Sequence, residues 1–324
     1  RQRQMCIRDS LPAHAKLNLA LAVGPPQPPR GFHPICSWFV ALDLSDTVMI
    51  EPLPPGAPSR HHLAWDTNLE RFPRPSPIDW PIEQDLAVRA HRLLEHHAGR
   101  ELPLRMSITK RIPIGGGLGG GSSDAAAALR AINHLSELGL TTTQLRQLSA
   151  PLGSDIAFFI DDASQSASHT PRPAIVSGFG DAIDRIQPPP PAAELILIFP
   201  PFGCHTAAVY QAFDREIATK GEDACCSDPQ RIDNLIEQAH ETQTIPAADL
   251  FNDLFEPACL VQPALRELFA GLHTAARQRN AHIHLTGSGS TLFCIVPQGV
   301  ESAELASTLR AAAHGSVIAV SQLC

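Results

Sequence analysis

Leu17, Leu19, Leu21 and Val23 alternate with Asn18, Ala20 and Ala22, the two-residue period of a strand. Residues 35–43 and 47–50 read as two further strands around a turn at Ser45-Asp46. A helix is predicted over about 83–97, with Leu86, Leu93 and Leu94 as its apolar stripe, and Leu104, Met106 and Ile108 alternate again. The pattern changes at Pro113. Six glycines fall within residues 115–121, and Ser122, Ser123 and Asp124 precede an apolar run through Ala125–Ala128, Leu129, Ile132 and Leu135. Glycine fills no core, whereas serine or aspartate at a helix start satisfies orphan N–H groups. The segment therefore predicts strand, glycine loop, and a helix beginning near Ser123. Another helix starts at Thr142 or Thr143, and the chain bends at Pro151–Asp155. Beyond it, short strands (173–177, 195–199, 282–286, 290–296, 316–322) mix with helices (206–216, 229–240, 258–273, 301–313).

These elements make an α+β protein in two parts. The strands are too short and unevenly spaced for a regular barrel, and the first βα unit lacks the glycine fingerprint of a dinucleotide fold. Thirty prolines fall in clumps: an early loop (Pro25, Pro26, Pro28, Pro29), a segment over 52–81 with no recognisable period, and Pro188–Pro191. The last reads as an extended connector, so the expected division is 11–180 and 181–324. Residues 1–10, which run Arg-Gln-Arg-Gln before Met5, are set aside as non-native.

A hydrophobic fraction of 44% against 18% charged residues excludes disorder over the whole length. Apolar runs such as Leu195–Pro201 are far too short to cross a bilayer, and no signal-peptide pattern is present, so a soluble cytoplasmic protein without membrane partners is expected. The balance of 25 basic and 33 acidic residues gives a net charge of −8, with no basic cluster beyond Lys110-Arg111, which argues against nucleic acid. A small polyanion remains compatible, because a few backbone N–H groups and one lysine hold a phosphate. The eight cysteines form no C-x-x-C pair and read as reduced thiols.

Candidate chemistry concentrates in five segments. Pro113-Ile114-Gly115-Gly116-Gly117-Leu118-Gly119-Gly120-Gly121-Ser122-Ser123 lets backbone N–H groups converge on one point ahead of a helix N-terminus, an arrangement suited to phosphate. It is not a Walker A loop, since no Gly-Lys-Ser/Thr closes it. Ser122 and Ser123 add hydroxyls, either of which is a candidate magnesium ligand. Lys16 and Asn18 share one strand face, which solvent exposure explains equally well. Asp155, at the mouth of the apolar run Ile156–Ile160, reads as a base or a helix cap. Thr286-Gly287-Ser288-Gly289 reads as a tight turn or as a close backbone approach to substrate phosphate, and Phe32-His33 as a ring-binding pair or as loop packing. Elsewhere, His282 and His284 read as solvent-side residues of one strand face, the adjacent pairs His61-His62 and His96-His97 are poorly arranged as ligands, and Asn252-Asp253 reads as a capping sequence.

Taken together, these segments resemble the small-molecule kinase superfamily that includes galactokinase, homoserine kinase, mevalonate kinase and phosphomevalonate kinase (GHMP kinases). Ala15–Leu19, Arg30–His33, Pro113–Ser123, Leu152–Asp155 and Thr286–Gly289 resemble, within it, the family acting on 4-diphosphocytidyl-2-C-methyl-D-erythritol. The resemblance implies an N-terminal ribosomal-protein-S5-like domain, a C-terminal ferredoxin-like domain and an active site in the cleft. It implies ATP and Mg²⁺, a cytidine-diphosphate-linked polyol as substrate, and a monomer or homodimer. By the same resemblance Asp155 is the general base and Lys16 the catalytic lysine, Pro113–Ser123 hold the ATP phosphates, and Asn18, Phe32, His33 and Thr286–Gly289 bind the acceptor. Phe32 replaces the family's usual tyrosine, Arg30-Gly31 a usual aspartate-glycine, and Asp85 an asparagine on the adenine side. The competing expectations are a homoserine- or mevalonate-type kinase, and a nucleotide-binding regulator without turnover. Retention of both Lys16 and Asp155 argues against the regulator.

Overall fold

The computed structural model describes residues 9–29, 31–66, 78–162, 170–188 and 193–324. Strands β1 (Asp9–Val23), β2 (Ile35–Pro52), β3 (Arg60–Trp65) and β4 (Leu104–Lys110) form the first half with helices α1 (Leu86–Ala98), α2 (Gly120–Leu135), α3 (Thr142–Ser149) and the single turn α4 (Ile156–Phe159). Next come β5 (Ala174–Gly178), β6 (Ala182–Arg185), β7 (Glu194–Phe199), α5 (Thr206–Lys220), the short α6 (Glu222–Cys225) and α7 (Gln230–Thr242). The chain ends with α8 (Phe255–Val261), α9 (Pro263–Arg277), β8 (Ile283–Leu285), β9 (Leu292–Ile295), α10 (Ser302–Ala312) and β10 (Val317–Gln322).

Two sheets carry these elements. The first runs β3-β4-β2-β5-β6, with β1 also paired to β2, and the second β10-β7-β9-β8. The long antiparallel β1–β2 hairpin is the hub. Its outer end packs Leu11, Ala13, Val48 and Ile50 against α1 and α2 in one core. Further along, Leu17, Leu19, Trp38, Val40 and Leu42 pack with Leu195, Leu197, Phe199 and Phe293 of the second sheet. A third core lies under α5, α8, α9 and α10, among Val209, Phe213, Leu265, Leu272, Leu305 and Leu309. The end of β10 and the residues after it close the join: Cys324 N donates to Ala41 O at 3.0 Å, and Gln322 N to Asp43 Oδ1 at 3.0 Å.

Several expectations change. Residues 35–52 are one continuous strand, because Asp46 accepts backbone bonds from residues 111 and 112 instead of opening a turn. The helix after the glycine loop starts at Gly120, with Gly119 as its N-cap, so Ser122, Ser123 and Asp124 lie inside α2. The helix expected over 258–273 is two, divided at Gln262 because Pro263 opens α9. The proline-rich segment contributes β3, parallel to β4. Asp9 and Ser10, within the stretch set aside as non-native, pair with Ile50 and Met49. The 180/181 division falls inside the β5–β6 hairpin, whose strands share the first sheet. Residues 1–8, 67–77 and 189–192, with most of the third proline clump, lie outside the described residues, as does Arg30.

Candidate active site

Lys16 and Asn18 owe their placement to two irregularities in the β1–β2 ladder, one between His14 and Lys16 and one between Asn18 and Ala20. Bulges bend a strand and re-aim its side chains. Both residues are buried, 4% and 3% exposed, so the solvent-face explanation fails. A buried ammonium needs partners. Lys16 Nζ donates to Asn18 Oδ1 at 2.5 Å, lies 3.5 Å from Asp155 Oδ2 and sits 4.7 Å from the centroid of the Phe39 ring. Asn18 Nδ2 donates to Ser37 Oγ at 2.9 Å, and Ser37 passes its own hydrogen to Ala20 O at 2.6 Å, so the amide orientation is fixed from behind.

Asp155 precedes the one-turn α4, but its side chain makes no cap bond, which removes the helix-cap explanation. Its carboxylate is part-exposed, whereas the residues after it, Ile156 to Ile160, are buried and hold the turn in the first core. The turn's far end is held by guanidinium groups: Arg185 donates to Phe158 O at 2.5 Å and Arg146 to Ile160 O at 2.8 Å.

The glycine loop meets this pair directly. Lys16 N donates to Leu118 O at 2.9 Å. Gly119 has φ of +70°, and a Cβ there would come within 3.0 Å of Lys16 Cγ and 3.1 Å of Phe159 Cζ. Gly117, at φ +77°, would put a Cβ 2.7 Å from Thr286 O, so the glycine loop and the 286–289 segment touch backbone to backbone. Both positions exclude side chains for steric as well as dihedral reasons. The 286–289 motif is buried and returns to β1, where Thr286 Oγ1 accepts from Asn18 N at 3.0 Å. Ser288 meets Thr206, at the start of α5, through their hydroxyls at 2.9 Å.

The expected capping role of Asn252-Asp253 changes: the N-cap of α8 is Leu254, without a side-chain cap bond, and the pair reaches elsewhere. Asn252 Nδ2 donates to Leu285 O and Gly287 O at 2.9 and 2.8 Å, while Asp253 Oδ2 accepts from Val23 N at 2.8 Å. They fasten the 286–289 segment to the end of β1. Asp85, on the expected adenine side, caps α1 by accepting from Ala87 N at 2.9 Å.

Phe32 and His33 behave differently from one another. Phe32 is 56% exposed and stands edge-on to the exposed Phe179, with ring centroids 6.5 Å apart. His33 is committed to the protein: Nδ1 lies 2.9 Å from Gly24 O, and Nε2 lies 3.3 Å from Asp214 Oδ1. Its ring packs against Tyr210 and Phe213 of α5 at 5.1 and 5.6 Å. Phe179 and Tyr210 escaped the sequence reading; each is a single aromatic in an ordinary turn or helix, with no motif around it. Burial, with the Asp155 charge adding to it, pushes the Tyr210 phenol up to about 12.

Among the histidines set aside, His284 is packed against Phe293 rather than facing solvent, and burial pushes its imidazole down to about 4. Among the described residues no group of three or more His, Cys, Asp or Glu side chains is arranged to hold a metal ion. Seven cysteines are described, and all are free.

The family model for the GHMP kinases N terminal domain matches residues 85–162, which include the glycine loop and Asp155. A 4-diphosphocytidyl-2-C-methyl-D-erythritol kinase of Caulobacter sp. (strain K31) is 32% identical over 300 residues, covering 92% of each chain. The chain belongs to the 4-diphosphocytidyl-2-C-methyl-D-erythritol kinase family. A kinase of the same name from Variovorax paradoxus (strain S110) is 33% identical over 298 residues, covering 91% of this chain and 90% of its own. A crystal structure of 4-(cytidine 5'-diphospho)-2C-methyl-D-erythritol kinase superposes with a TM-score of 0.71 at 26% identity, over 97% of this chain and 98% of that one. Membership of this family makes the two-part GHMP-kinase architecture the expected one, and the sheets and helices described above have it. No helix among the described residues is long and apolar enough to cross a membrane.

Proposed function

We propose that this chain transfers the γ-phosphoryl group of ATP to the 2-hydroxyl of 4-diphosphocytidyl-2-C-methyl-D-erythritol, giving the 2-phosphate and ADP, in the non-mevalonate route to isoprenoid precursors. The observation that carries the reading is the Lys16–Asp155 contact of 3.5 Å, placed against the glycine loop by the Lys16 N to Leu118 O bond. An acceptor hydroxyl bound there meets a base, a cation and a phosphate cradle at once.

The residues divide the work as follows. Backbone N–H groups of residues 115–121, with the N-terminus of α2, hold the nucleotide phosphates. Asp155 orients the acceptor hydroxyl and takes its proton. Lys16 offsets the negative charge that accumulates on the carboxylate and the moving phosphoryl group. Asn18, Thr286, Gly287, Ser288 and Gly289 shape the polyol side of the cleft, and the exposed Phe32 and Phe179 rings offer surfaces to the cytosine. Phosphoryl transfer is chiefly positioning and electrostatics, so the fixed orientation of Lys16 matters more than the strength of the base.

When bound with ATP, Mg²⁺ would supply charge neutralisation of the triphosphate. Ser122 or Ser123, both in α2, would offer it a hydroxyl ligand. A soluble cytoplasmic monomer or homodimer fits this role.

The test is a panel of acceptors: 4-diphosphocytidyl-2-C-methyl-D-erythritol, homoserine and mevalonate, each with ATP and Mg²⁺, with phosphorylated product followed by mass. Product from the first alone supports the reading. Product only from homoserine or mevalonate replaces it.

A further inference from the structure

We propose that Asp46 is a positioning residue for the phosphate loop, holding both ends of the loop from beneath together with Lys110 and Asp124; the inference rests on reading residues 113–123 as the nucleotide-phosphate cradle. Asp46 lies inside β2, and none of its surface reaches solvent. Its Oδ1 accepts the N–H groups of Arg111 and Ile112 at 2.5 and 2.8 Å, the first two residues after β4. Its Oδ2 accepts from Lys110 Nζ, and the same ammonium donates to Asp124 Oδ2 at 2.6 Å, in α2 beyond the loop. The carboxylate also underlies the loop's exit, since a Cβ on Gly120 would stand 3.5 Å from Asp46 Oδ2. Lys110 and Asp124 are themselves buried, 4% and 1% exposed.

The need for such a device follows from composition. Three loop glycines adopt positive φ (Gly115, Gly117 and Gly119), and glycine loses more conformational freedom on ordering than any other residue. A loop left to order itself on each binding event would charge that entropy to nucleotide affinity. Fixing both ends in the folded protein lowers the entropy lost at binding.

The two carboxylates are not equivalent. Asp46 serves three donors, whereas Asp124 serves Lys110 alone and its Oδ1 is buried without a hydrogen-bond partner. Burial pushes the Asp124 carboxyl well above its ordinary range, against the pull of Lys110. Asp46 is therefore the carboxylate that ties Lys110 to the loop's entry, while Asp124 adds a single bond from α2.

The test measures MgATP dissociation constants without acceptor, acceptor dissociation constants without nucleotide, and steady-state kinetics, for the wild-type chain, Asp46→Asn and Asp124→Asn. Asp46→Asn is expected to weaken MgATP about 10- to 100-fold, the scale of losing a buried charged hydrogen bond. Acceptor affinity should stay unchanged, and KM for ATP should rise far more than kcat falls. Asp124→Asn keeps an acceptor for Lys110 and should weaken MgATP several-fold less than Asp46→Asn does, with acceptor affinity unchanged. Residue-resolved amide exchange of the wild-type chain adds a measurement that needs no variant to fold: Arg111 and Ile112 should exchange much more slowly than Gly115–Gly117. A folded Asp46→Asn chain with unchanged MgATP affinity would overturn the inference, as would fast exchange at Arg111 and Ile112. Equal damage from both variants would overturn the assignment to Asp46. A wild-type chain that does not bind MgATP would instead overturn the nucleotide reading beneath it.

Discussion

Lys16 and Asp155 come from opposite ends of the first half of the chain and meet with Nζ 3.5 Å from Oδ2. Neither contact partner is loose: Lys16 is fixed by Asn18 and by the loop backbone, and Asp155 by the packed turn that follows it. The pair is thus a junction between the glycine loop and the space that we propose for the acceptor hydroxyl.

Asp155→Asn tests the base directly. It keeps the shape of the side chain and removes both the charge and the proton acceptor. Turnover should fall by at least about 100-fold, within the usual span of general-base contributions, with the MgATP dissociation constant nearly intact. Single-turnover rates beside equilibrium binding check this. Near-normal turnover in a folded variant would remove the role.

Gly119→Val tests the junction from the other side. Its side chain would strike Lys16 Cγ and the Phe159 ring at a backbone φ of +70°. Strain of this kind costs of order 1–3 kcal/mol. The expected result is a lower denaturation midpoint together with loss of MgATP binding and turnover. Unchanged nucleotide binding would show that this part of the loop does not face the phosphates.

Phe32 and His33 should separate. Phe32→Ala removes an exposed ring and should weaken the cytidylyl substrate by about 1–3 kcal/mol, the range for a stacked base, with ATP affinity and melting temperature unmoved. His33→Ala removes a packed ring tied to Gly24 and Asp214, so it should lower the melting temperature as well as acceptor affinity. Paired dissociation constants and melting curves distinguish the two. Equal loss of ATP and acceptor binding in Phe32→Ala would take Phe32 out of the recognition surface.

A pH dependence follows from Asp161, which is buried beside Arg172 and Arg185. Burial alone would raise its carboxyl, but hydrogen bonds from Arg172 and the Arg185 charge outweigh this and hold it well below the usual carboxylate range. A group depressed in the folded state stabilises fully above its unfolded value, near about 4, and loses that contribution as pH falls toward the folded value. Asp161→Asn should therefore be less stable than wild type at pH about 7, and the gap should narrow as pH drops below about 4. Urea unfolding across that range reads it out. A gap that widened on acidification would contradict the assignment.

The glycine loop and the bend at Pro151–Asp155 were legible in the sequence because glycine and proline turn signals are written in contiguous residues, whereas the residues alone left Asp155 open between base and cap. Lys16 was half legible: its strand alternates cleanly, yet alternation alone cannot show that both faces are buried or that two bulges flank it. Asp46 and Phe179 were illegible for a different reason. Each is a single ordinary residue whose partners lie far away in sequence, Arg111 and Ile112 for one and Phe32 for the other. The break at Pro263 could have been read from proline chemistry, whereas β3 hides among prolines because a parallel edge pairing leaves no local turn signal.

Phosphorus NMR of the reaction mixture tests the central claim most directly. With ATP, Mg²⁺ and 4-diphosphocytidyl-2-C-methyl-D-erythritol, a new phosphomonoester should appear on the 2-position, in step with ADP, while the acceptor's diphosphate stays intact. ADP accumulating with inorganic phosphate alone, or a phosphate placed on another hydroxyl, would contradict it.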